Sequence, residues 1–142
     1  MNLKNAHRLN LKLYNYLIYI CLDSPTETRF TMSTTHTNWT KEDFIIYTLL
    51  YCANADFVEE KPELDFIKSK IHHSNLENLK LEFSQDNDFT SIQKISDYIE
   101  AHNYSAEDKQ KLVEDIRKLF VSDGSFDHLE HNLMLGLKKI IF

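Results

Sequence analysis

The sequence is poor in the residues that most often interrupt regular structure, with two glycines and two prolines among 142 residues. A β-sandwich or β-barrel needs a turn roughly every dozen residues, and such turns depend heavily on glycine and proline. Helices need fewer interruptions, so this scarcity predicts an all-α fold. A hydrophobic fraction of 42% is enough for one core, and the length favours a single domain with a tail.

Cysteine is equally scarce, because Cys21 and Cys52 are the only two in the chain. Their spacing fits neither a disulfide framework nor a zinc ribbon. Cys52 belongs to the apolar run 49–53, which predicts a buried thiol.

A continuous basic stripe is also missing, since sixteen Lys and Arg residues are dispersed among twenty-two Asp and Glu residues, for a formal net charge of -6. Backbone phosphates require a basic face, so we expect no nucleic-acid partner. The sequence has no nucleophile elbow, glycine-rich phosphate loop or metalloprotease signature, and this favours a protein that is not an enzyme.

Residues 1–37 differ in composition from the rest, and we interpret them as an N-terminal extension, a short helix or a disordered segment, before a domain at 38–142. Residues 1–31 carry a net charge of +2, which leaves -8 for the remainder. The apolar stretch 13–22 is about ten residues long, well short of the roughly 20 that span a bilayer. We therefore expect a cytoplasmic protein.

Three other interpretations of this segment stay open. Its basic start and short apolar run resemble a secretory signal, although no small-x-small cleavage site follows. Met32 could instead be the working start, in which case residues 1–31 are an upstream extension of the reading frame. The segment could also be a surface helix that contacts a membrane through its apolar and tyrosine side chains, with Lys4, Arg8 and Lys12 beside them.

Four patterns mark the starts of helices, because Ser, Thr or Asp followed three residues later by Asp or Glu satisfies backbone donors at both positions. They are Thr40 with Asp43, Ser74 with Glu77, Ser105 with Asp108, and Asp127 with Glu130. Proline in a first turn and an apolar face at Ile92, Ile95, Tyr98 and Ile99 indicate two more helices. The predicted helices span about 40–55, 62–71, 74–83, 90–101, 105–121 and 127–142. The first is apolar on nearly every side, so we expect it to be central and buried.

An internal repeat becomes visible when the sequence is shifted by sixty-seven residues. In each copy an apolar helix ends at an Asp, a short loop follows, and a Glu appears seven residues later in the next helix. The superimposed pairs are Ile45 with Leu112, Ile46 with Val113, Leu49 with Ile116, Cys52 with Leu119, Asp56 with Asp123, Glu63 with Glu130, Phe66 with Leu133, and Ile67 with Met134. Two copies of so long a period indicate a duplicated globular unit rather than a solenoid.

These paired motifs resemble the TerB-like family of tellurite-resistance domains. The resemblance covers about 38–142, and its motifs are Ala53-Asn54-Ala55-Asp56 followed by Glu63 and Ile67, and Val121-Ser122-Asp123-Gly124 followed by Glu130 and Met134. It implies a compact bundle of six to seven helices built from a duplicated helix-loop-helix unit, a role in stress or phage defence, and a metal site between the halves. The ligands that it implies in this chain are Asp56, Glu63, Asp123 and Glu130.

The first copy departs from the family pattern at Phe57, where the family usually has glycine. A positive φ would be costly for phenylalanine, so this loop is expected to turn differently from its counterpart.

The acidic pairs allow two chemical interpretations. Asp56 and Asp123 lie near helix C-termini, where the helix dipole disfavours a negative charge. Backbone N–H groups can compensate if the carboxylates act as caps. A divalent cation can also compensate, and oxygen ligands suit Ca²⁺ or Mg²⁺ best. His128 and His131 could share one helix face, but a lone pair of this kind is expected to be polar surface rather than a zinc site.

The sequence therefore predicts a non-catalytic, stress-associated helical domain that binds a divalent cation, an unidentified protein partner, or both. One alternative is a metal-dependent hydrolase, in which the four carboxylates surround a cation that activates water. Another is a pure interaction scaffold without metal. The sequence predicts no particular oligomeric state.

Overall fold

Helices account for most of the part of the chain that the computed structural model describes, which is residues 38–54, 61–122, 124 and 128–142. These residues contain no β-strand, so the prediction of an all-α fold is confirmed. The helices are α1 (Lys41–Ala53), α2 (Lys61–Ser69), α3 (Leu76–Gln85), α4 (Asp88–Ala101), α5 (Ala106–Phe120) and α6 (His128–Ile141). All six belong to one compact unit, Thr35–Phe142. The predictions for the extension 1–37, for Phe57 and for the Asp127 cap lie outside the described residues.

Two predicted helix starts are confirmed in atomic detail. Thr40 Oγ1 accepts the backbone N–H of Asp43 at 3.1 Å, and Asp43 Oδ2 accepts the backbone N–H of Thr40 at 2.9 Å. Ser105 Oγ likewise accepts the backbone N–H of Asp108 at 3.0 Å. Each bond satisfies an N–H group that the helix itself leaves without a partner, which is why α1 and α5 begin where they do.

Two other starts differ from the prediction, and asparagine is the reason in both. Helix α3 is capped by Asn75 rather than Ser74, because the Asn75 side chain accepts the N–H of Asn78 at 3.1 Å. Helix α4 begins two residues before Thr90, because Asn87 accepts the N–H of Thr90 at 2.8 Å. Asparagine ranks with serine and aspartate as an N-cap, so a search for Ser or Thr alone misplaces these starts.

Helix α1 is the centre of the bundle, as its apolar sequence predicts. It contacts α2, α3, α4 and α5. Its fully buried side chains are Phe44, Ile46, Tyr47, Thr48, Leu49 and Leu50. Thr48 is a polar residue at such a position, where water does not reach its hydroxyl. The hydroxyl donates instead to the carbonyl of Phe44 at 2.8 Å.

The burial pattern follows the sixty-seven-residue register. Helices α1 and α5 pack against each other, α2 packs on both, and α6 packs on α5 and α4. Both members are buried in the pairs Ile46 with Val113, Leu49 with Ile116, Cys52 with Leu119, and Ile67 with Met134. The α1–α2 segment, here called the first unit, and the α5–α6 segment, the second unit, therefore present equivalent faces to a shared core.

Candidate functional site

The structure describes one carboxylate of each predicted acidic pair. Glu63 lies in the first turn of α2, with only 8% of its surface exposed. Glu130 lies in the first turn of α6 and is half-buried. Asp56 and Asp123 lie outside the described residues, so the four-carboxylate arrangement stays a prediction. Among the residues that are described, no three His, Cys, Asp or Glu side chains form a group that could hold a metal ion.

Glu63 lies beside the core. It lies one helical turn before Ile67, which is buried in the core, so both side chains face the same side of α2. Cys52, at the end of α1, is close enough that the negative charge of Glu63 adds to burial in raising the pKa of the thiol. Burial of a carboxylate disfavours its ionised form, whereas a place in the N-terminal turn of a helix favours it.

Glu130 repeats this placement in the second unit. It precedes Met134 by one turn, as Glu63 precedes Ile67, and Met134 is buried in the same way. Leu119 takes the place of Cys52 at the end of the preceding helix, so no thiol accompanies the second carboxylate. The two carboxylates therefore occupy equivalent positions, but their immediate neighbours differ.

The loop of the second unit contains the one glycine whose backbone conformation demands glycine. Gly124 has a φ of +90°, and no atom would lie within 4 Å of an added Cβ. The cost of any other residue there would come from the backbone rather than from crowding.

The most extensive polar cluster was not predicted from the sequence. Lys94, on α4, donates to Glu82 Oε1 at 2.7 Å and to Asp86 Oδ2 at 2.5 Å. Tyr47 donates its hydroxyl to the same Asp86 oxygen at 2.6 Å. Burial opposes the charged form of Lys94, but its bonds to the two carboxylates outweigh that effect and raise its pKa. Burial and the bond to Asp86 likewise raise the pKa of Tyr47.

Trp39 closes this cluster on the side of α1. Its Nε1–H donates to Glu82 Oε2 at 3.1 Å, and its ring lies 4.4 Å from the ring of Tyr47. The Lys94 ammonium lies 5.8 Å from the Trp39 ring centroid, within the range of a cation–π interaction. The cluster thus joins α1, α3 and α4 through the ion pairs of Lys94 and the hydroxyl of Tyr47, which is an arrangement suited to holding helices together rather than to proton transfer.

A second unpredicted feature is a cradle of backbone N–H groups around Glu42. The N–H groups of His72, His73 and Ser74 all donate to Glu42 Oε1, each at 2.8 Å. These bonds lower the pKa of Glu42 to about 2. The backbone of these three residues thus ties the α2–α3 turn to the start of α1.

His128 and His131 are both exposed on α6, as a polar surface pair would be.

A cavity of about 520 Å³ lies between the end of α4, the α4–α5 turn and the end of α6. Its walls combine apolar side chains from α6 with Glu100 and Lys109. Its lining contains no His or Cys, so it offers no pairing of a nucleophile with an imidazole base.

No family model matches this chain, and neither the curated proteins nor the solved structures yield a match. Within the described residues, no helix combines the length and the apolar character needed to cross a bilayer. The site assignment therefore depends on the residues themselves, on their equivalence in the two units, and on the TerB-like resemblance of the motifs.

Proposed function

We propose that this chain is a non-catalytic helical binding domain, similar to TerB-like proteins, whose two units together hold a divalent cation. The observation that supports this proposal is the buried Glu63 carboxylate in the first turn of α2. A divalent cation takes carboxylate oxygens as ligands, and its charge favours the ionised form of a buried carboxylate. Glu130 takes the equivalent place in the second unit, and Asp56 and Asp123 complete the proposed ligand set.

The nature of the ligands favours a hard cation. Carboxylate oxygens suit Ca²⁺ and Mg²⁺, whereas zinc and copper prefer nitrogen or sulfur donors. Cys52 is fully buried and its thiol has a raised pKa, so it remains protonated and is a poor ligand. A stress-associated role follows from the resemblance alone and is part of this proposal.

Calorimetric titration of the full chain with Ca²⁺, Mg²⁺, Mn²⁺ and Zn²⁺ tests the proposal directly. We expect heat and thermal stabilisation with Ca²⁺ or Mg²⁺, reaching about 2.7 kcal/mol when the free ion is about one hundred times its Kd. Glu63→Gln and Glu130→Gln should each remove the ion response. The matched control is Glu77→Gln, because Glu77 also lies in the first turn of a helix but is exposed.

Two sets of results would contradict the proposal. If no ion produces heat, and Glu63→Gln lowers stability by the same amount with and without a chelator, the carboxylates act as structural caps and the cation proposal fails. Retention of the ion response in both variants would place the ion elsewhere on the protein.

A further inference from the structure

The outer face of α6 combines exposed apolar and basic side chains. The exposed positions of this helix and of the residue after it are His128, His131, Asn132, Leu135, Lys138, Lys139 and Phe142. At 100° per residue, these positions fall within an arc of about 120°, so they form one stripe along the helix. Leu135 is 49% exposed and Phe142 is 63% exposed. We refer to this set as the α6 stripe.

The stripe belongs to the second unit alone. In the sixty-seven-residue register, Leu135 corresponds to Lys68 and Phe142 corresponds to Asn75, and both counterparts are exposed and polar. The inner faces of α2 and α6 follow the same pattern of burial. Packing of the shared core therefore does not explain the apolar residues on the outer face of α6. Exposed apolar side chains that are rimmed by polar residues are typical of interaction surfaces.

The charged side chains of the stripe are of one sign. Lys138 and Lys139 lie on either side of the line from Leu135 to Phe142, and no exposed residue of 128–142 is acidic. The chain as a whole carries a net charge of -6, so this face departs from the average surface. Glu130 points about 140° away from Leu135 on the helical wheel, which separates the stripe from the proposed cation site.

From this arrangement we infer that the α6 stripe docks an acidic amphipathic helix of another protein. Such a helix supplies apolar side chains for Leu135 and Phe142, and carboxylates for Lys138 and Lys139. A second copy of the same stripe would satisfy the apolar residues but would bring lysines towards lysines, which is unfavourable. The inference depends on α6 alone and is independent of whether a cation binds.

Two synthetic helical peptides with one shared pattern of leucines provide the test, one with glutamate and the other with lysine at the polar positions. Binding to the full chain is measured by fluorescence anisotropy in a chelating buffer, and amide chemical shifts locate the contact. We expect the acidic peptide to bind in the micromolar range, more weakly at high salt, and to shift the amides of residues 132–142. The lysine peptide should bind at least about tenfold more weakly.

Variants at exposed positions separate the apolar and ionic contributions. Leu135→Gln, and Lys138→Glu combined with Lys139→Glu, should each weaken binding of the acidic peptide at least about tenfold. Leu135→Gln should leave the melting temperature unchanged, whereas the two glutamates should lower it slightly because they lie in the last turn of α6. Leu81→Gln is the apolar control, because Leu81 is 60% exposed on α3, and Lys111→Glu is the basic control on α5. Both controls should bind like the unmodified chain.

Three results would overturn the inference. The two peptides could bind equally, the chemical shifts could change away from α6, or the acidic peptide could fail to bind at all. Sedimentation that shows a dimer abolished by Leu135→Gln would also overturn it, because the stripe would then pair with a second copy.

Discussion

Helices α1 and α5 occupy equivalent places in the two units, yet α1 is surrounded and α5 has an open side. Three positions illustrate the difference: buried Phe44 and Tyr47 and half-buried Tyr51 of α1 correspond to exposed Lys111, Glu114 and Lys118 of α5. The positions at which α1 and α5 are both apolar are those that face the shared core. The comparison teaches that the repeat specifies one face of each helix, and that the number of neighbouring helices determines the other faces.

The largest expected difference in stability is between substitutions of Phe44 in α1 and of its counterpart Lys111 in α5. Phe44 is fully buried, stacks on Tyr98 with 4.3 Å between ring centroids, and meets Tyr104 edge-on at 5.2 Å. Phe44→Ala should lower the free energy of unfolding by about 3–5 kcal/mol, because it removes these contacts and leaves a cavity. Lys111→Ala should change it by less than about 0.5 kcal/mol.

Urea denaturation followed by circular dichroism measures both values. Similar losses for the two variants would mean that α1 and α5 are equally surrounded, contrary to the structure.

A second comparison concerns the one polar position that is buried in both helices. Thr48 bonds to its own helix, whereas its counterpart Asp115 is 6% exposed and pairs with Lys70 at 2.8 Å. Lys70→Met should cost about 2–3 kcal/mol, because it leaves the Asp115 carboxylate buried without its cation. Adding Asp115→Thr should recover most of this loss, because threonine can bond to the carbonyl one turn back as Thr48 does.

Chemical denaturation of the two single variants and the double variant gives the coupling free energy. Lys68→Met, at an exposed position near the end of α2, is the control and should be nearly neutral. Additive losses in the double variant would mean that Lys70 and Asp115 contribute independently.

The third comparison pairs Glu42 with Lys109, its counterpart in the second unit. The pKa of Glu42 is about 2 in the folded chain, against 4.5 for an ordinary glutamate. Its stabilising effect is therefore complete above about pH 4.5 and is lost as the pH falls towards 2. Glu42→Gln should cost about 1–2 kcal/mol at neutral pH, because three N–H groups lose a charged acceptor.

Stability measured from pH 7 to pH 2 checks the sign of this effect. The difference between the unmodified chain and Glu42→Gln should shrink below about pH 4.5, while Glu107→Gln, at an exposed position in the first turn of α5, should show a much smaller difference. A difference that does not depend on pH would exclude the Glu42 charge as its source.

Local patterns predicted the helices well because each one depends on residues close in sequence. Examples are the Thr40 and Ser105 caps and the apolar faces of α1 and α4. The Asn75 and Asn87 caps were missed because asparagine was not among the residue types used to predict helix starts. The Lys94 cluster depends on Glu82 and Asp86, which lie on the far side of a helix boundary. No helical spacing joins such residues, so their pairing emerges only when α3 and α4 have packed.

The helix positions of the candidate site residues could be predicted from the sequence, but their burial could not. The repeat placed Glu63 and Glu130 in equivalent first turns, and both are found there. The burial of Glu63 depends on how α2 packs against α1, and the spacing of residues in the sequence does not predict that packing. The α6 stripe was missed for the opposite reason, because an apolar residue such as Leu135 is ordinarily assigned to the core.

The central position of α1 also has a consequence for the chain during its synthesis. A ribosome that adds roughly 5–20 residues per second needs about 3–13 seconds to extend the chain by the sixty-seven residues that separate α1 from its equivalent place in α5. Throughout that interval the most apolar of the six described helices has been made, while the helix that completes its burial has not. The nascent chain therefore depends on α2, α3 and α4, which are made in between, to cover α1 in turn.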